Sequence, residues 1–150
     1  MVDQHESSQR EGELNQALEA LHFGFRAITA HPDRELKRLG YSRVHHRILY
    51  FVGRNPGSSV NELLSIMRVS KQYLNRPLRQ LVEDGYLTAR RDPGDRRIKR
   101  LRLSPRGKRL EARLTGEQRA RLAAVFDRAG EEAEAGWRKV MRLLVEMTEG

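Results

Sequence analysis

The chain has no cysteine, five prolines, one tryptophan and only 6% aromatic residues in a length of 150. Without cysteine there are no disulfides, thiolate zinc sites, iron–sulfur clusters, cysteine nucleophiles or thiol redox sensors. An apolar run of about eighteen residues, the length of a membrane helix, does not occur. The opening MVDQHESSQREGE is polar and of mixed charge, unlike a secretory signal peptide. A cytoplasmic location with no membrane partner is therefore expected. Catalytic signatures are lacking too. There is no Gly-rich phosphate loop and no nucleophile elbow, and the carboxylates are scattered. His5, His22, His31, His45 and His46 show no metal-ligand spacing. No enzyme activity, metal or cofactor is expected, and the length suits a single domain.

Positive charge is abundant and concentrated. The net charge is +9, and 24 of the 29 cations are arginine. Residues 1–85 carry 12 cations and 10 anions, whereas residues 86–109 carry 10 cations and 2 anions. Residues 110–150 carry 7 cations and 8 anions. One short stretch thus supplies nearly all the excess. Such a block points to a polyanionic partner held by phosphate neutralisation and counterion release.

Residues 1–12 are polar and aperiodic and read as a disordered tail before a domain over 13–150. Leu14, Leu18, Leu21, Phe25 and Ile28 then step by four and three, a helical stripe. Pro32 is expected to end that helix, with a short helix over 33–39 capped by Gly40. Ser42 is placed to cap a helix over 43–54 that buries Val44, Ile48, Phe51 and Val52. Asn55-Pro56-Gly57 signals a turn. Ser59 and Glu62 form a capping box before Val60, Leu63, Leu64 and Met67. A short turn at Arg68-Val69 leads to a second helix, capped by Ser70 and stopped by Gly85, with Leu74, Leu78, Leu81 and Val82 inward. Pro77 falls inside it, which implies a kink or a later start. The period then drops to two over 86–91 and 98–103, two strands joined through Asp92-Pro93-Gly94-Asp95, where Pro and Gly suit a type II turn. Ser104-Pro105 restarts a helix. A break near Gly130 precedes a last one bearing Trp137, Val140, Met141, Leu144 and Val145.

A helix–turn–helix followed at once by a basic hairpin is a winged helix. Its second helix fits the major groove, and its hairpin reaches phosphates and the minor groove. The run DPGDRRIKRLRLSPRGKRL over 92–110 carries Asp95-Arg96-Arg97, a short strand, then Leu103-Ser104-Pro105-Arg106-Gly107. It resembles the wing signature of the multiple-antibiotic-resistance regulator (MarR) family, with Ser104 in place of the usual threonine. LVEDGYLTARR over 81–91 is similar to that family's exit from the recognition helix. The resemblance covers about residues 13–148. It implies a mostly α fold with a small β-hairpin wing: a winged helix-turn-helix lobe over about 43–104, and dimerisation helices over about 13–31 and 110–148. It further implies a homodimeric, ligand-responsive repressor on a palindromic operator. The two terminal stripes support a dimer independently, because a chain this short offers them little else to cover. Packing within one chain is the alternative. The alternative function is non-specific, architectural DNA binding without an effector.

By position, Ser70, Lys71, Gln72, Tyr73, Asn75, Arg76 and Arg79 lie on the first turns and outer face of the recognition helix. Gln and Asn can pair bidentately with adenine, and Arg with guanine. At the wing, Arg97 suits the minor groove, with Asp95 fixing its guanidinium. Arg90, Arg91, Arg96, Lys99 and Arg100 read as phosphate contacts. The family's small aromatic or phenolic effectors imply a cleft near the first two helices, for which His22, Phe25, Arg26, Tyr41, His45 and Leu49 are candidates. Structural hydrogen bonding of the two histidines is the other reading.

Overall fold

The computed structural model describes residues 2–149. Six helices and three short strands occur among them: α1 (Val2–Arg38), α2 (Arg43–Arg54), β1 (Ser58–Ser59), α3 (Val60–Met67), α4 (Lys71–Glu83), β2 (Leu87–Arg91), β3 (Lys99–Leu103), α5 (Pro105–Ala129) and α6 (Glu131–Glu149). None of the described helices is long and apolar enough to cross a membrane.

The first helix departs from the expected course at both ends. Residues 2–12 are helical rather than disordered, although the side chains of residues 3–12 are exposed. Gln, Glu and Arg are good helix formers. Extending an existing helix also avoids the nucleation cost, and Arg10 pairs with Glu13 at 3.0 Å. Nor does Pro32 end the helix. Its missing N–H deprives the Ile28 carbonyl of a donor. Gln118 of α5 replaces it, with Nε2 3.2 Å from the Ile28 oxygen. The Pro32 ring is fully buried. Residues 33–38 are thus the last turns of α1, closed by Gly40 at φ +76°.

The core lies inside the winged lobe. Ile48, Leu49 and Val52 of α2 meet Leu63 of α3, Leu74 and Leu81 of α4, Leu101 of β3, and Leu110 and Leu114 of α5, each at most 1% exposed. Burial of each such side chain contributes about 1.5–3 kcal/mol. Arg68, at φ 57° and ψ 46°, makes the left-handed turn between α3 and α4. Pro77 sits within α4 without shifting its start, since Ser70 caps the helix as expected and its Oγ accepts from the Tyr73 N–H at 3.2 Å.

The sheet has three strands in the order β1-β3-β2, all antiparallel. Leu87 pairs with Leu103 and Arg91 with Lys99, while Ser58 pairs with Leu101. Tyr86 and Ile98 fall just outside the strands. β1 went unforeseen because two residues are too short to show a period. Gly107 explains its own place in the wing motif. A Cβ there would lie 2.0 Å from the Tyr86 carbonyl oxygen, so only glycine lets the first turn of α5 close against the entry to β2.

The terminal stripes are not covered within one chain. Leu18 on α1 is 64% exposed, Val140 on α6 58% and Met147 81%. Packing of these stripes inside the monomer is therefore not what the fold shows.

Candidate nucleic-acid interface

Helix α4 presents Lys71, Gln72, Asn75, Arg76 and Arg79 to solvent, while Leu74, Leu78 and Leu81 hold its other face in the core. Its N-terminus is also exposed at the cap residue Ser70. Tyr73 is half-buried, and its hydroxyl accepts from Arg47 Nη1 at 2.9 Å. The hydroxyl proton stays available for an outside acceptor.

Three side-chain pairs fix α4 to α2 and to Tyr41 just ahead of α2. Arg47 meets Tyr73 at the first turn of α4. His45 meets Gln80 further along, with Nε2 2.7 Å from Oε1. Tyr41 donates to Asp84 just beyond the last turn. The amide N–H of Ser42 donates to His45 Nδ1 at 3.0 Å. Nδ1 is therefore the acceptor there, which leaves Nε2 to donate to Gln80. Burial, reinforced by the Asp84 hydrogen bond, holds the Tyr41 hydroxyl well above the usual phenol range.

The wing tip is ordered by two aspartates. Asp92 Oδ2 accepts the amides of Gly94 and Asp95, each at 2.9 Å. Gly94 does not have positive φ, so the expected type II turn is absent. The Asp92 side chain takes the role that its backbone carbonyl would have there. Asp95 clasps Arg97 as expected, Oδ1 accepting from Nε at 3.0 Å and Oδ2 from Nη2 at 3.1 Å. That bidentate bond, together with the Arg97 amide, holds the Asp95 carboxyl below the usual range. Arg97 remains 91% exposed. A surface pair of this kind adds little stability; its effect is to fix where an exposed guanidinium points.

Arg100 is not a free phosphate contact. Its Nε meets Asp92 Oδ1 at 3.1 Å and its Nη1 meets Glu62 Oε1 at 3.2 Å. Glu62 also accepts the Ser59 amide, closing the capping box of α3. One chain of charge-assisted bonds thus runs from the start of α3 through β3 to the wing tip. It also holds the Asp92 carboxyl low. Arg90, Arg91, Arg96 and Lys99 are exposed and have no ion-pair partner among the described residues.

The residues expected around an effector cleft do not come together. Tyr41, His45 and Leu49 are buried in the lobe, while His22 and Arg26 are exposed on α1. Helical period could not show that Tyr41 and His45 face α4 rather than α1. Phe25 alone lines a cleft of about 280 Å³ between α1, α2 and α5, with Ile28, Thr29, Arg43, His46, Arg47 and Gln118 among its walls. Arg43 and Arg47 lie over the Phe25 ring at 4.9 and 6.0 Å. His46 reaches Thr115 Oγ1 at 3.1 Å, and burial lowers its pKa. Arg47 is a candidate residue that sequence reasoning missed. It sits three residues after Val44 on the rim of an apolar face, and only the fold shows that it touches both the cleft and α4.

The family profile of MarR matches residues 39–98. The HTH-type transcriptional regulator PetP of Rhodobacter capsulatus is 40% identical over 134 residues, covering 89% of this chain and 81% of that protein. A crystal structure of a MarR family transcription regulator superposes with a TM-score of 0.77 at 26% identity, covering 95% of this chain and 94% of that one. FabT of Streptococcus pneumoniae, solved in complex with DNA, gives a TM-score of 0.79 at 19% identity over 91% of this chain and 97% of its own. A capped, solvent-facing helix beside a basic wing, with this likeness to PetP over most of both chains, places the protein: it belongs to the MarR family of winged-helix transcription regulators.

Proposed function

We propose that the chain is a sequence-specific regulator that binds double-stranded DNA as a homodimer on a palindromic operator and releases it when a small ligand binds. The observation that carries the reading is the pairing of α4 with the wing. Gln72, Asn75 and Arg76 are exposed on a helix whose inner face is locked. Beside it stand four cations with no ion-pair partner among the described residues, and an Arg97 held in one geometry by Asp95. Amide and guanidinium groups read base edges in the major groove. Lys71, Arg79, Arg90, Arg91, Arg96 and Lys99 suit phosphates, and Arg97 suits the minor groove. FabT, of similar fold, was solved on DNA.

The exposed stripes of α1 and α6 support the dimer. Leu14, Leu18, Leu21 and Phe23 on one and Val140, Leu144 and Val145 on the other are too apolar and contiguous to face water. A dimer covering them sets two α4 helices about one turn of duplex apart, ~34 Å. The cleft at Phe25 suits an anionic aromatic effector through Arg47, which faces the apolar wall, whereas Arg43 is paired with Asp33 at 2.8 Å. A ligand that favours a dimer of different helix spacing lowers DNA affinity by its differential affinity and no more. Repression then follows from occupancy of a promoter by the unliganded dimer.

Selection of bound duplexes from a random library tests this reading. An enriched inverted repeat with half-sites one turn apart is the expected result. Tight binding with no enriched sequence would replace it with architectural DNA binding.

A further inference from the structure

Two cations of the basic stretch, Arg102 and Lys108, belong neither to α4 nor to the wing tip. With Arg54 they stand around a second cleft of about 280 Å³, formed by the end of α2, β3 and the first turns of α5. Val52, Pro56 and Leu103 give it an apolar wall. Gly53 and Glu111 complete the lining; Glu111 is 7% exposed, and its Oε1 is buried without a hydrogen bond among the described residues. Arg54 Nη1 lies 3.5 Å from that oxygen, too far for a good N–H···O bond. Its guanidinium is held over the Tyr50 ring at 4.6 Å. The Arg102 guanidinium folds over Gly57, where an added Cβ would come within 3.0 Å of Nη2. Neither Arg102 nor Lys108 has an ion-pair partner among the described residues.

These features set conflicting demands on an occupant. A simple anion is drawn by the three cations but must lie near the Glu111 carboxylate. A simple cation satisfies Glu111 but faces Arg54, Arg102 and Lys108. A molecule carrying both charges resolves the conflict. We propose that this cleft binds a small zwitterion of the α-amino acid class, with its ammonium donating to Glu111 Oε1 and its carboxylate held by Arg102 and Lys108. The side chain then lies on Val52, Pro56 and Leu103, which selects apolar amino acids. The size agrees, since the cleft falls just below the roughly 300–1,000 Å³ of drug-sized ligand sites. The site is separate from the Phe25 cleft and does not depend on the reading of α4.

The test is calorimetric titration of the full chain with L-leucine and then with each other L-amino acid, alongside thermal unfolding, because a ligand of the native state raises the melting temperature. Saturable binding of an apolar amino acid is expected, with a Kd of about 1 mM or tighter. N-acetyl-L-leucine, which lacks the ammonium, and L-leucinamide, which lacks the carboxylate, should each bind about tenfold or more weakly. Lys108→Met and Arg102→Met should lose binding while melting normally without ligand, and Glu111→Gln should lose it as well. Since Glu111 is buried, the two exposed cations keep the test independent of any folding defect. The proposal is overturned if no amino acid binds saturably, if N-acetyl-L-leucine binds as tightly as L-leucine, or if Lys108→Met and Arg102→Met bind unchanged.

Discussion

Replacing Gly107 by alanine isolates one contact. Gly107 is the third residue of α5, its amide donates to Ser104 Oγ at 3.0 Å, and its φ is not positive. Alanine therefore meets no backbone objection, and helix propensity favours it by up to about 1 kcal/mol. Against this, the new Cβ would lie 2.0 Å from the Tyr86 carbonyl oxygen and 3.0 Å from its carbon. Both are backbone atoms and cannot rotate away. Relief requires roughly 1 Å of movement between α5 and the entry to β2, and that carbonyl already accepts the Ser104 amide at 3.1 Å. Overpacking costs about 1–3 kcal/mol, occasionally more, and a weakened hydrogen bond about 0.5–1.5. The net loss should be about 2–3 kcal/mol. For a chain of this size that is a fall in melting temperature of roughly 4–12 °C, read by circular dichroism at fixed protein concentration because self-association makes a melting temperature concentration-dependent. Gly12→Ala, with nothing within 4 Å of its new Cβ, should leave the melting temperature unchanged or slightly raised. A Gly107→Ala protein melting with the wild type would refute the contact as the reason for this glycine.

Other substitutions probe other links. Arg97→Ala should weaken duplex binding and reduce the salt slope by about 1, read from affinities at several salt concentrations. Asn75→Ala and Arg76→Ala should instead relax base preference, each by about 1–3 kcal/mol at one position of the site, read by repeating the duplex selection. Gln118→Leu removes the donor that answers Pro32 and should cost about 1 kcal/mol in urea unfolding; an unchanged midpoint would show that Ile28 finds another partner. His46 has a folded pKa lowered by burial. Its contribution to stability is complete above its unfolded value near 6.5 and is lost as pH falls through the lowered folded value. Unfolding free energy should thus fall more steeply from pH 7 to 5 in the wild type than in His46→Gln, and parallel curves would contradict this.

Most of the lobe was legible because its signals are local. Ser70 and Ser104 cap where their spacing puts them, Gly85 and Gly130 end their helices, and Asp95 grips Arg97 across two residues. Features that depend on distant partners were not legible. The course of α1 through Pro32 rests on Gln118, far along the chain. The role of Arg100 rests on Glu62 and Asp92 together, and a basic stretch alone does not separate a cation bound internally from one free for phosphate. His45 carried the spacing of a residue on an apolar face. That spacing holds, but the face meets Gln80 of α4 and not a ligand cleft.

The central claim is that α4 and the wing read sequence, and one ratio tests it most directly. The affinity of the wild-type chain for its selected duplex is compared, at one physiological salt concentration, with its affinity for a scrambled duplex of equal length and composition. A specific regulator should prefer the first by about 10³-fold or more. A ratio near one would mean that the basic surface alone holds the DNA, and the assignment of Gln72, Asn75 and Arg76 to base edges would fall.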